Sequence, residues 1–293
     1  MAAEIGGVLT AMVTPFAEDG SVDEAAARRL AGHLVGNGSH GVVVAGTTGE
    51  SPTLSDQEVI SLLSAVKAEV GDTATVVCGT GTNDTRHSER LSAAAAEAGA
   101  DAVLVVAPYY NKPNRAGIGA HYEAVAGAAG VPVIVYNIPS RVVINLPPDL
   151  LAELGQVENI VAVKQANNDE IGEVAGLDVL AGNDDVFLRC LENGGVGGIL
   201  VASHAVGNEM RQVLDAFDAG ELDRARQVDQ RIRPVYEAMG LDTNPIPVKA
   251  AAEMLGLIPS ARMRLPMVAA DESTRAGVRS ALEAQGLLTA SAA

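Results

Sequence analysis

One lysine closes an apolar run: Ile160-Val161-Ala162-Val163 leads directly into Lys164, in a chain with four lysines against sixteen arginines. An ammonium is costly to bury charged. The usual way out is a lowered pKa, which leaves a neutral, nucleophilic amine able to condense with a carbonyl. The alternative is a strand-end lysine that snorkels to water or pairs with a carboxylate. The other lysines invite no such reading, since Lys67 falls on a helical stretch, Lys112 in a turn and Lys249 in a helix near the C-terminus.

Thr47 and Thr48, flanked by Gly46 and Gly49, could offer hydroxyls and closely packed N–H groups to a carboxylate such as a 2-keto acid carries. A turn with a threonine helix cap is the plain alternative. Tyr110 and Tyr136 are two of five tyrosines. A buried, hydrogen-bonded phenol can relay protons, although a single tyrosine is more often a core residue whose hydroxyl has found a partner. Arg141 could clamp a second carboxylate through two parallel N–H bonds, or serve in a surface ion pair. The weight lies in where these residues fall together.

They fall at the ends of short β-branched runs. Eight such runs, Gly7–Val13, Val42–Ala45, Thr75–Cys78, Ala102–Ala107, Val133–Tyr136, Ile160–Lys164, Val179–Ala181 and Gly197–Val201, alternate with Ala-rich segments of helical period, as βαβ units require. Several are apolar at consecutive positions, which fits a parallel sheet buried on both faces. The expected fold is α/β, a (β/α)8 barrel over residues 1–220 with a C-terminal helical extension over 221–293; an open doubly wound sheet is the alternative. The seventh run is the weakest and the sixth crossover the tightest. In a parallel barrel the site is built where the strands end, and here they open into Gly46-Thr47-Thr48, Pro108-Tyr109-Tyr110, Tyr136-Asn137, Lys164 and Gly182-Asn183-Asp184.

Composition narrows the function classes. At 48% hydrophobic residues the chain can build a large core, yet no apolar run nears the roughly 18 residues a membrane span needs. A formal charge of −17 disfavours nucleic acid and anionic membranes as partners. Cys78 and Cys190 lack metal or redox spacing and read as buried small hydrophobes, and the five histidines show no paired ligand spacing. No metal is expected. The start, Met1-Ala2-Ala3-Glu4-Ile5-Gly6, has neither a basic nor an apolar stretch, so a cytoplasmic protein is expected.

Five segments, GTTGES at 46–51, PYYNKP at 108–113, YNIPSR at 136–141, VAVK at 161–164 and NPIPVK at 244–249, resemble in order the dihydrodipicolinate synthase and N-acetylneuraminate lyase family. The resemblance spans nearly the whole chain. It implies that Lys164 forms an imine with pyruvate, that Thr47 and Thr48 hold the pyruvate carboxylate, and that Tyr136 transfers protons, with Thr47 linking it to Tyr110. It further implies that Tyr110 reaches the site of a neighbouring subunit, so that the chain is a homo-oligomer, typically a tetramer built from tight dimers. Arg141 would bind the carboxylate of (S)-aspartate 4-semialdehyde, and Gly182 and Ile199 would shape the pyruvate pocket through their backbone. The implied reaction is a lyase-type condensation to 4-hydroxy-tetrahydrodipicolinate, on the way to diaminopimelate and lysine, with small molecules as the only other partners and no call for a cofactor.

The chain departs from the family pattern twice. Gln165-Ala166-Asn167-Asn168 follows the lysine where relatives often carry an acidic or similar residue, then Ala, a hydroxyl residue and Gly. At the positions of the lysine feedback site of some relatives, Ser51, Asn83 and Tyr109 match, whereas Asp56, Val59 and His87 do not, which implies weak or absent inhibition by lysine. Rival readings are a sister Schiff-base aldolase with another aldehyde, a non-catalytic keto-acid-binding barrel, and a metal-dependent aldolase, for which no ligand cluster can be assembled.

Overall fold

The structure, a computed structural model, describes residues 5–289; residues 1–4, on which most of the leader reading rests, lie outside it. The β-branched runs form eight parallel strands: β1 (Gly7–Ala11), β2 (Gly41–Val44), β3 (Thr75–Gly79), β4 (Ala102–Val106), β5 (Val133–Asn137), β6 (Ile160–Gln165), β7 (Asp178–Ala181) and β8 (Gly197–Leu200). They follow one another round a closed barrel. The ring is completed by β1 pairing with β8, from Gly7 opposite Gly197 to Thr10 opposite Leu200, so the sheet is not open. Glycine makes this seam possible, because a Cβ on Gly197 would stand 2.2 Å from the Gly7 carbonyl oxygen.

Helices α1 (Glu24–Gly36), α2 (Asp56–Val70), α3 (Thr85–Glu97) and α4 (Arg115–Ala129) fill the first four crossovers. The fifth carries the single turn α5 (Pro139–Val142) and α6 (Pro148–Leu154), and the seventh α7 (Phe187–Glu192). The sixth crossover is indeed tight: residues 166–177 hold one 3-10 turn at Asn168–Glu170 and a bridge between Val174 and Leu177, with no α-helix. Starts are set by side chains that accept the free N–H groups of the first turn, Asp23 for α1, Ser55 for α2, Asp84 for α3 and Asn114 for α4, each stabilising its helix by about 1 kcal/mol.

Beyond the barrel run α8 (Ser203–Asp218), α9 (Leu222–Met239), α10 (Ile246–Met254) and α11 (Glu272–Ala284). Helix α8 packs on both β1 and α9, and α11 on α9 and α10, so one apolar core runs from the barrel into these helices. Two polar links tie α10 and the residues before it to the loop after β2: Asn244 Nδ2 donates to Thr48 Oγ1 (3.0 Å) and Lys249 Nζ to Glu50 Oε1 (2.5 Å). Among the described residues no helix is long and apolar enough to cross a membrane.

Candidate active site

Lys164, next to last in β6, is the register partner of Tyr136 on β5, and partners across a parallel pair show the same face of the sheet. The lysine side chain is 5% exposed and its Nζ lies 4.3 Å from the centroid of the Tyr136 ring. Both open into a cavity of about 300 Å³ at the strand ends, which is also lined by Thr48, Arg141, Gly182 and, from α9, Tyr236. A cavity of this size suits a small metabolite.

The loop after β2 is a wound turn. Gly49 N–H and Ser51 N–H both donate to the Gly46 carbonyl, and Glu50 N–H to that of Thr47. Thr14 Oγ1 donates to the Gly49 carbonyl (2.7 Å). Gly49 is tightly packed: a Cβ there would be 3.0 Å from the Ala45 nitrogen, so the backbone beside it would have to give by a few tenths of an ångström. The turn buries Thr48 and leaves its hydroxyl with Asn244. Thr47 instead faces a neighbouring cavity of about 260 Å³ with Ser51, Asp56, His87 and Tyr109, while Arg141 lines both cavities. Arg141 lies on the one-turn α5 and donates from Nη2 to the Asn244 carbonyl (2.9 Å).

Three of the expected residues, Thr47, Tyr110 and Ile199, do not line this cavity. Tyr110 has left-handed backbone (φ 70°) and is 87% exposed, on a loop pinned by Asn111 Nδ2 donating to the Asn83 carbonyl (2.8 Å). The Thr47 hydroxyl hydrogen-bonds to neither Tyr136 nor Tyr110 within the chain. Ile199 is wholly buried in β8, two residues before Val201, which does line the cavity.

Sequence reasoning passed over three wall residues. Asp184 is buried with its carboxylate accepting the N–H groups of Val201 (2.8 Å) and Ala202 (3.1 Å). Burial pushes its carboxyl up to about 6, against the pull of those N–H groups and of Lys164. Tyr236 carries a buried hydroxyl beside the Asp229 carboxylate, and burial, with that neighbouring charge, pushes its pKa well up. Asn244, the third, touches both Thr48 and Arg141. Asp184 stands at a strand end; Asn244 opens the NPIPVK segment, which by itself gives it no role, and nothing local marks Tyr236, both approaching from beyond the barrel.

Lys249 needs correcting. Far from being an ordinary helix lysine, it is completely buried and ion-paired to the buried Glu50; burial lowers its pKa while Glu50 opposes the shift. Residues 165–168 do not reach the cavity wall. Gln165 Oε1 accepts from Asn137 Nδ2 (3.0 Å) and the Asn167 N–H (2.9 Å), and Asn183 donates to Asn168 (2.7 Å), so the departure forms an amide network beside the site. Among the described residues no three His, Cys, Asp or Glu side chains gather as a metal site would require.

Residues 4–285 match the model of the Dihydrodipicolinate synthetase family. The 4-hydroxy-tetrahydrodipicolinate synthase of Moorella thermoacetica is 44% identical over 290 residues, covering 97% of this chain and 99% of that protein. Two solved structures share the fold at a TM-score of 0.93. One is DHDPS from Cyanidioschyzon merolae with lysine bound, 38% identical over 97% of this chain and 99% of that one. The other is the chloride-inhibited dihydrodipicolinate synthase from Acinetobacter baumannii complexed with pyruvate, 33% identical over 97% of this chain and 100% of that one.

Proposed function

The chain belongs to the dihydrodipicolinate synthetase family, and on that premise we propose that it condenses pyruvate with (S)-aspartate 4-semialdehyde to 4-hydroxy-tetrahydrodipicolinate, a step toward diaminopimelate and lysine. The observation that carries the reading is the buried Lys164 amine at the floor of a small polar cavity, beside the Tyr136 phenol.

Lys164 Nζ attacks the keto carbon of pyruvate and water leaves, giving an imine. Loss of a methyl proton gives an enamine, whose carbon bonds to the aldehyde carbon of the second substrate. The amino group of that substrate then closes the ring and expels Lys164. The imine is the electron sink, so the protein supplies orientation and proton transfer. Thr48 holds the pyruvate carboxylate from the cavity wall and the Gly182 backbone shapes its pocket, while Thr47, on the side of the second cavity, links the site toward Tyr110. Tyr136 moves protons at the imine, and Arg141 takes the acceptor's carboxylate as a charge-assisted clamp.

Tyr110 completes the relay in a neighbouring copy of the chain. Its 87% exposure, on a loop tied by Asn111 to the Asn83 carbonyl, leaves it free to reach a neighbouring copy, in keeping with a homo-oligomer, a tetramer of tight dimers on the family resemblance. Two buried free cysteines suit the reducing cytoplasm. The test is turnover: carbon-13 pyruvate with aspartate semialdehyde must give a labelled heterocycle by mass spectrometry. Pyruvate uptake with other aldehydes but not with this one would shift the reading to a sister aldolase.

A further inference from the structure

The buried Lys249–Glu50 pair is the strongest feature that the reaction does not use. Glu50 is two residues past Thr48 and has left-handed backbone (φ 57°), a conformation that L-residues other than glycine adopt at a cost. Something must hold it there. Both carboxylate oxygens are claimed by the C-terminal part of the chain: Oε1 by Lys249 Nζ (2.5 Å) and Oε2 by the Arg264 N–H (3.1 Å). Lys249 is itself fixed, donating to the Arg262 carbonyl (2.6 Å) and lying 4.2 Å over the Phe16 ring.

We propose that Lys249 is a positioning residue for the carboxylate-binding loop: through Glu50 it sets the wound turn after β2, and so places the Thr48 hydroxyl for the pyruvate carboxylate. The inference rests on the imine reading above. Location separates it from a purely stabilising role. A buried pair added for stability alone could sit anywhere in the core, and by itself is weak evidence of stabilisation. This pair lands on the loop that carries Thr48, five residues along the chain from Asn244, which donates to Thr48 itself. The two links act on one turn from one direction.

The experiment measures how much pyruvate is needed to trap the imine with borohydride. A variant that only loses stability traps less at every concentration but keeps the same half-saturating pyruvate concentration. Removing one partner would strand a buried charge, so both are replaced, Glu50→Met with Lys249→Met, a kind of exchange that buried pairs often tolerate. The expected result is a folded protein whose half-saturating pyruvate rises at least tenfold, with the KM for the aldehyde within twofold. A folded double variant within twofold of the unaltered chain in pyruvate overturns the proposal. If that variant does not fold, Glu50→Gln is used, which keeps the size and an oxygen for Lys249; a rise of threefold or more is expected, and an unchanged value overturns the proposal. No adduct in the unaltered chain would instead overturn the imine reading itself, and this inference with it.

Discussion

Lys164 and Tyr136 are register partners on adjacent strands, and the lysine Nζ lies 4.3 Å from the phenol ring centroid. The ring packs against the amine, and in the proposed mechanism its hydroxyl moves protons at the imine. Tyr136→Phe separates them. It keeps the ring and removes the hydroxyl, so kcat should fall by about 10²-fold or more, the range of a lost proton-transfer group, while the pyruvate adduct on Lys164 still forms. Steady-state kinetics beside imine trapping checks both halves.

Arg141 lines the cavity, is exposed where Lys164 is buried, and is held by the Asn244 carbonyl. Arg141→Ala should raise the KM for aspartate semialdehyde by roughly tenfold to a hundredfold, the loss expected for a hydrogen-bonded charged contact. The KM for pyruvate should hardly move. An equal rise for both substrates would place the arginine elsewhere in the mechanism.

On the proposed reading, in which the exposed Tyr110 completes the site of a neighbouring copy, activity depends on the assembly. Diluting the enzyme through its dimer dissociation range, followed by analytical ultracentrifugation, should reduce specific activity in step with the dimer fraction. Tyr110→Phe should lower kcat by about tenfold or more without dissociating the dimer. Full activity in a species shown to be monomeric would contradict the relay.

The second cavity bears on feedback. His87 Nε2 and Asp56 Oδ1 lie 2.7 Å apart, in a wall shared with Val59 and Tyr109. These two side chains satisfy each other, and Val59 offers no polar atom to an amino acid. Lysine should inhibit weakly or not at all; half-inhibition at sub-millimolar lysine would contradict this.

His204 predicts acid sensitivity. Its Nδ1–H donates to the Val201 carbonyl (2.8 Å) and its Nε2 accepts the Val13 N–H (3.2 Å), so the buried ring is neutral, and burial lowers its pKa to about 4. The unfolded chain takes up the proton near the ordinary 6.5, before the folded one does. Stability is thus full above pH 6.5 and is lost as the pH falls toward 4, by up to about 3 kcal/mol. Urea unfolding across that range should show the loss in the unaltered chain and much less of it in His204→Gln.

Much of this was legible in the sequence because parallel strands buried on both faces are continuous β-branched runs, and because a barrel collects its chemistry where those runs end. Lys164, Tyr136, Thr48 and Arg141 could be placed on one cavity from that rule alone. Lys249 could not. Its helical context says which face it occupies but not what lies opposite, and Glu50 is 199 residues away in the chain. Asn244 and Tyr236 were hidden for the same reason, as they meet the barrel only through tertiary packing. Tyr110 was legible as a strand-end phenol, but its 87% exposure belongs to the loop's backbone, which spacing does not report.

The central claim is that the Lys164 amine captures pyruvate. Incubating the protein with pyruvate and sodium borohydride, then mapping the modified residue by mass spectrometry, tests it most directly. A reduced pyruvate adduct on Lys164, absent from Lys164→Ala, is the predicted result. An unmodified Lys164 after reduction, or an adduct on Lys67, Lys112 or Lys249 in its place, would contradict it.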